Sequence, residues 1–158
     1  MATLRRATPG DAQALTSLRG LMHQAMGDDL NDDWRRHCED DFRRRLDTDN
    51  FVAFVVEEDG CVVSGGAGWL EEHLPSPYQL DARRGHIASM STDPAYRRRG
   101  YGRRVFEGLM AWFAERDIPR VDLRATPDGQ PLYEAFGFRT LGGATMAWTA
   151  PGNRPGMR

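Results

Sequence analysis

Apolar positions recur along the chain with helical and strand periods in turn, and their order predicts a mixed α/β fold. Leu4 to Thr8 is a short strand candidate ended by Pro9. Pro9-Gly10-Asp11 then opens a helical face made by Ala14, Leu15, Leu18, Leu21, Met22 and Met26. Between Gly27 and Asp49 the chain is highly charged, yet Trp34, Cys38, Phe42 and Leu46 recur at i, i+4 spacing as the stripe of a second helix. That spacing makes core packing the expected role of Trp34 and Phe42. FVAFVVEE from Phe51 and CVVSGGAGWLEE from Cys61 read as strands joined by an Asp59-Gly60 hairpin turn. HLPSPYQLDARRG reads as a loop, and HIASMSTD from His86 as a strand closed by Asp93-Pro94.

Further along, Val105, Phe106, Leu109, Met110 and Phe113 mark the clearest helix, and RVDLRAT from Arg120 alternates as a strand. Gly129 to Phe138 reads as a short helix with Pro131 near its start and Gly137 at its end. A last strand pair is expected from Phe138 to Thr149. The expected fold class is α/β, mixed and α+β-like: a central, mostly antiparallel twisted sheet of six to seven strands flanked by roughly four helices.

Length and composition narrow the class. A chain of 158 residues suits one domain, expected over residues 1–150, with a flexible tail at 151–158. All 21 basic residues are arginine and 23 acids balance them, for a net charge of −2, so the global basic excess of a nucleic-acid binder is missing. The N-terminal stretch has charge but no continuous apolar run, so neither a leader nor a membrane span is expected, and the expected compartment is cytoplasmic. Cys38 and Cys61 stand far apart in no metal-ligand spacing. They are expected to be small, buried or half-buried thiols, and no metal is expected.

Against that background the run RRRGYG, Arg97 to Gly102, has three readings: a nucleic-acid patch, a solvated surface, or a seat for a phosphorylated ligand. A strand ending in Asp93-Pro94, a tight arginine and glycine loop and then a long amphipathic helix favour the third. Gly100 and Gly102 permit close approach, and the helix N-terminus offers N–H groups and a positive dipole end to an anion. The spacing is neither GxGxxG nor GxxxxGK[ST], so it supports no dinucleotide fingerprint and no NTP-cleaving loop.

STDPAYRRRGYGRRVFEGL resembles the acetyl-CoA loop of the GCN5-related N-acetyltransferase (GNAT) superfamily, whose pattern [QR]xxGx[GA] is filled by Arg97, Gly100 and Gly102. QPLYEAFGFR resembles the family's second element, in the right order and at the right separation. The resemblance implies acetyl-CoA as co-substrate, with its pyrophosphate held by main-chain N–H groups from Arg98 through Arg103, Arg99 and Tyr101 included. It further implies that the strand around Met90, Ser91 and Thr92 pairs with the pantetheine arm as one strand pairs with another. The second element usually opens with asparagine seven residues before its tyrosine; here that position is Thr126, a candidate cofactor contact of shorter reach.

Acetyl transfer from a thioester to an amine needs a neutral amine, a donor for the developing oxyanion and a proton for the departing thiolate. An alkyl amine titrates near ~10, so a base or water chain is required at neutral pH. Tyr133 fills the tyrosine position of the second element, and the resemblance implies a phenol close to the thioester sulfur as acid. His86, where several family members carry a glutamate, is the candidate base, since imidazole exchanges protons near neutrality. Glu71, Glu72 and His73 compete for that role or for substrate binding. An acidic run from Asp28 to Asp41 raises the option of a cationic acceptor, although Arg35, Arg36 and Arg43 to Arg45 neutralise much of it.

The expected activity is therefore direct acetylation of a primary amine, of a small molecule in preference to a protein or peptide, with a non-catalytic acyl-CoA-binding module as the rival. No nucleic acid and no membrane is expected as partner. A homodimer through ATMAWTA is left open.

Overall fold

The computed structural model describes residues 1–153. By their internal contacts these fall into two compact units, Met1–Arg124 and a second from Ala125 onward. In the first unit a five-stranded sheet runs in the order β1 (Ala2–Arg6), β2 (Phe51–Glu58), β3 (Cys61–Glu72), β4 (Arg83–Thr92) and β5 (Val121–Leu123). The first four strands form an antiparallel meander, and β5 joins β4 in parallel after a helical crossover. Asp59 (φ 50°) and Gly60 (φ 79°) both turn through the left-handed region, which two-residue hairpin loops of matching twist require.

Helices α1 (Ala12–Ala25) and α2 (Asp32–Arg45) belong to one face of this sheet and α3 (Tyr101–Glu115) to the other. Strand alternation sorts the side chains accordingly. Val55, Ala53 and Phe51 of β2 meet Gly65, Ala67 and Trp69 of β3 on the α1/α2 face, where Phe42, Leu15 and Ala12 complete a buried cluster. On the α3 face the sheet presents glycines, and this lets bulky helix residues approach the backbone. A Cβ on Gly85 would lie 2.4 Å from Phe113 and one on Gly68 would lie 3.0 Å from it. Val105, Phe106, Leu109 and Phe113 are essentially inaccessible to solvent.

Several boundaries differ from the sequence reading. Pro9–Asp11 is a separate 3₁₀ turn before α1. Strand β4 starts at Arg83, three residues before His86, because Glu72 and Glu71 stand opposite Arg83 and Arg84 and extend the ladder into the expected loop. Where six or seven strands are expected, the described residues form five. Among the described residues, Phe138 to Thr149 forms no strand: Gly143 turns through φ 96°, and Leu141, Met146 and Trp148 are exposed instead of facing a partner ladder. Cys38 is half-buried as expected, but Cys61 is exposed. Trp34 is half-buried, edge-on to the His23 ring at 5.8 Å, and Phe42 is core.

In the second unit, α4 (Gln130–Ala135) is shorter than expected. Its end is closed by Gly137 (φ 92°), with Gly137 N–H donating to Glu134 O and Phe138 N–H to Tyr133 O. Of the tail expected at 151–158, Pro151 and Gly152 form a turn closed by Asn153 N–H on Ala150 O at 3.1 Å, and residues 154–158 lie outside the described residues. No described helix is long and apolar enough to cross a membrane.

The entry to α1 is fixed by one buried carboxylate. Asp11 accepts from Arg5 Nη1 (2.8 Å) and Nη2 (2.9 Å) and from the Thr8 N–H (2.8 Å). The Arg5 hydrogen bonds outweigh burial and hold the Asp11 carboxyl below the usual carboxylate range. Its stabilisation is therefore complete above the unfolded value near ~3.9 and is lost as pH falls through the lower folded value. Asp11→Asn is expected to cost about 2 kcal/mol at neutral pH, and urea titrations should show this deficit shrinking as pH drops below about 4.

Candidate active site

The loop between β4 and α3 is built from local constraints. Asp93 N–H donates to Val63 O (2.8 Å) and Asp93 Oδ1 accepts from Ala95 N–H (2.9 Å), which ends the strand and starts a 3₁₀ turn at Pro94–Tyr96. Arg98 (φ 63°) and Gly100 (φ 77°) then both lie in the left-handed region and swing the chain into α3. Gly100 is the helix cap and supplies no side-chain acceptor, and a Cβ there would meet nothing within 4 Å. Helix geometry leaves first-turn N–H groups without intrahelical carbonyls. The opening of α3 is thus a polar, positively polarised backbone surface beneath open space.

Most of the arginines beside it are engaged elsewhere. Arg99 Nη1 lies 3.3 Å from both Glu58 carboxylate oxygens, and Tyr101 Oη donates to Glu58 Oε2 at 2.9 Å. Arg103 pairs with Glu107 (3.1 Å) and Arg104 donates to Ala2 O (3.3 Å). Among the described residues the Arg97 and Arg98 side chains make no ion pair.

Strand β4 changes partners along its length. It pairs with β5 only from Gly85 to Ile87, and against β3 its register shifts by a bulge between the Ala67 and Gly65 pairings, where Ser89 takes φ 60°. From Ala88 to Thr92 only β3 lies alongside it among the described strands, so the other backbone edge through Met90, Ser91 and Thr92 carries no ladder. The side chains of this stretch serve the fold. Ser91 Oγ donates to Leu18 O (2.7 Å), Thr92 Oγ1 shares a hydrogen bond with Ser64 Oγ (2.8 Å), and Met90 Sδ occupies the space that a Cβ at Gly66 would need. A Cβ on Gly102 would stand 3.7 Å from Thr92 Oγ1, so the free strand edge and the helix N-terminus form one continuous path.

On the α1/α2 face, beside this path, His86 stands opposite Trp69 of β3 and Asp122 of β5. Its ring lies 4.8 Å from that of Trp69. Glu71 accepts from Trp69 Nε1 (3.0 Å) and shares a hydrogen bond with His73 Nε2 (3.0 Å). His73 first, then Trp69, holds the Glu71 carboxyl below its ordinary range against the opposing effect of burial. Glu71, His73 and His86 are therefore brought together. Glu72 is not, because strand alternation points it to the opposite face, where it is exposed. Of the expected acidic rim, Asp33, Glu39, Asp40 and Asp41 are paired to arginines of α2 itself.

Next to Trp69 opens a cavity of about 140 Å³. Its walls include Arg19, Asp41, Phe42, Arg45, Phe51 and Trp69, and the backbone of β4 at Ala88 and Ser89 borders it. The sequence reading missed Arg19, Arg45 and Trp69. Trp69 was accessible from strand alternation, two residues before Glu71, whereas no periodicity marks the two arginines.

In the second unit Tyr133 is buried on α4, its ring 6.1 Å from Phe138, and burial pushes its phenol pKa up. Gly129 makes room for it, since a Cβ there would lie 3.1 Å from Tyr133 Cε2. Thr126 Oγ1 accepts from the Gly129 N–H at 3.3 Å. Among the described residues no cluster of histidine, cysteine and acidic side chains is arranged to hold a metal ion.

The likeness of the RRRGYG loop and of QPLYEAFGFR to elements of the GNAT family is borne out by comparison with known proteins. Residues 20–138 match the model of the acetyltransferase (GNAT) family; the chain belongs to that family and is an acyltransferase. A predicted acetyltransferase from Clostridium acetobutylicum, solved with acetyl-CoA, aligns with a TM-score of 0.83 at 24% identity over 93% of this chain and 96% of that one. A GCN5-related N-acetyltransferase from Ralstonia eutropha JMP134 aligns at 0.80 and 29% identity over 94% and 99%. Glucosamine-6-phosphate N-acetyltransferase from Arabidopsis thaliana aligns at 0.75 and 18% over 95% and 99%. No curated protein matches the sequence significantly.

Proposed function

We propose that the protein is a single acetyltransferase domain that acetylates the primary amine of a small molecule by direct attack, without a covalent enzyme intermediate. The observation that carries this reading is the unladdered edge of β4 leading to an N-terminus of α3 whose cap is glycine. A pantetheine arm fits the first as an added strand, and a pyrophosphate fits the second. When bound, acetyl-CoA supplies an activated acetyl thioester. The main chain of Met90, Ser91 and Thr92 would hold the arm, and the backbone N–H groups from Arg98 through Arg103 would hold the pyrophosphate. Thr126 retains its own O–H for a cofactor hydrogen bond while its oxygen caps the turn at Gly129.

His86 takes the proton from the acceptor ammonium at a ring nitrogen. Glu71 is the weaker candidate, because a carboxylate whose affinity for protons is lowered by His73 and Trp69 is a poor base. It serves with His73 to orient the site. Tyr133, by the likeness of QPLYEAFGFR to the family's second element, keeps its proton on Oη for the departing thiolate, and the upward shift of its phenol guarantees that the proton is present at neutral pH. Cys38 is no rival nucleophile, since burial raises its thiol. The small size of the cavity next to Trp69, whose ring lies against His86, supports a small acceptor over a peptide.

Thiol release from acetyl-CoA across a panel of amines and peptides, with mass spectrometry of the product, tests the activity. No turnover on any amine despite CoA binding would leave a non-catalytic binding module. With an accepted amine, Tyr133→Phe should lower kcat by about a hundredfold while CoA affinity stays within about twofold. His86→Ala should lower kcat/KM by a similar factor and erase the acid limb of its pH profile, because a base must be unprotonated to act. An unchanged acid limb would remove His86 from the mechanism.

A further inference from the structure

The cavity beside Trp69 carries more information than its size. Phe51 and Trp69 stack nearly parallel, at 11° with 6.1 Å between centroids, and the Arg45 guanidinium lies over both rings at 4.5 Å and 4.8 Å. Stacking fixes the plane of the guanidinium and leaves its hydrogen-bonding edge available. Among the described residues its one paired acid is Asp41, at 3.6 Å from Nη1, and Asp41 is also paired with Arg44. Arg19, half-buried on α1, reaches the same cavity and makes no hydrogen bond or ion pair among the described residues. Cys38 adds no negative charge, because partial burial pushes its thiol up from the ordinary value. The wall therefore presents two guanidiniums against one carboxylate that a third arginine already shares. A partly buried guanidinium with no anion is an electrostatic deficit that a ligand oxyanion would fill with charge-assisted hydrogen bonds.

We propose that the acceptor is an amine that also carries an oxyanion, a carboxylate or a phosphate, seated between Arg19 and Arg45, with a small apolar body against Phe42, Phe51 and Trp69. The inference rests on the acetyltransferase reading for the word acceptor, but the cavity's preference for an anion stands on its own geometry. A volume of about 140 Å³ matches a benzene-sized or branched aliphatic group, since engineered cavities of about 150 Å³ take up benzene. Trp69 contacts the His86 ring at 4.8 Å, so an amine attached to that body lies toward the base. This geometry favours an anionic group on the acceptor over a cationic one: Asp33, Glu39, Asp40 and Asp41 are paired with arginines of their own helix, and the excess charge lining the cavity is positive.

The test uses the leucine and phenylalanine series in three forms each: the amino acid, its neutral amide, and the phosphate ester of the corresponding amino alcohol. Thiol release gives kcat/KM, and calorimetry on the full chain without acetyl-CoA gives the affinity of the N-acetylated products. At least one series should favour an oxyanion form over the amide by about tenfold in both readouts, and Arg19→Gln or Arg45→Gln should reduce that preference to about twofold or less. Preference for the acid assigns the anion to a carboxylate, and preference for the ester assigns it to a phosphate. Amides that bind as tightly as both oxyanion forms, or a preference untouched in both arginine variants with wild-type melting temperatures, would overturn the proposal. Oxyanion products that bind while no amine yields thiol would uphold it and sink the catalytic reading instead.

Discussion

The structure turns on a change of partners in one strand. From Gly85 to Ile87, β4 is held on both edges, by β3 and by β5. Beyond Ile87 it keeps β3 alone, with an extra residue at the bulge where Ser89 enters the left-handed region. An isolated strand edge of this kind is a hazard in most proteins because it invites pairing with another chain. Here it leaves main-chain hydrogen-bonding groups from Ala88 to Thr92 open, beside the N-terminus of α3. A positive φ at a residue with a side chain costs roughly 1 kcal/mol, which Ser91 on Leu18 O and Thr92 on Ser64 help to offset by pinning the strand on either side of the path.

Packing on the two faces of the sheet then divides the work. The α3 face is closed so tightly that Phe113 lies where side chains of Gly68 and Gly85 would stand, and this fixes the helix N-terminus relative to β4. The α1/α2 face is less completely filled. There the strand carries His86, and α2 lends Arg45 to a stack of aromatic rings beside a small cavity. The unladdered edge and the cavity thus share one strand: the backbone of β4 forms the first, and Ala88, Ser89 and Trp69 help to line the second.

How much of this was legible follows from what each element depends on. The hairpin at Asp59-Gly60 and the helix after RRRGYG are written in local residues, a left-handed turn in one case and an unbroken apolar period in the other, and both form as read. The start of β4 was misread because Arg83 and Arg84 look like loop residues until Glu71 and Glu72 are placed opposite them. The last strand pair failed for a related reason: ATMAWTA has the composition of a strand, but a strand forms only with a partner. The glycines of the RRRGYG loop were visible as a motif, whereas the bulge at Ser89 was not. Arg19 and Arg45 converge on the cavity from different helices, and no one-dimensional period connects them.

The central claim is that main chain and glycine, and not the run of arginines, hold coenzyme A in this protein. Calorimetric titration of CoA into Gly102→Val and into an Arg98→Gln, Arg99→Gln double variant tests it most directly, with thermal unfolding as a control for integrity. A branched side chain at position 102 would project toward Thr92 across the path, and it should weaken binding by at least about tenfold, or ~1.4 kcal/mol. Arg99 is already committed to Glu58 and Arg98 is a solvent-exposed charge, so the double variant should lose no more than about threefold. The reverse order, with CoA retained by Gly102→Val and lost with the two arginines, would contradict the account.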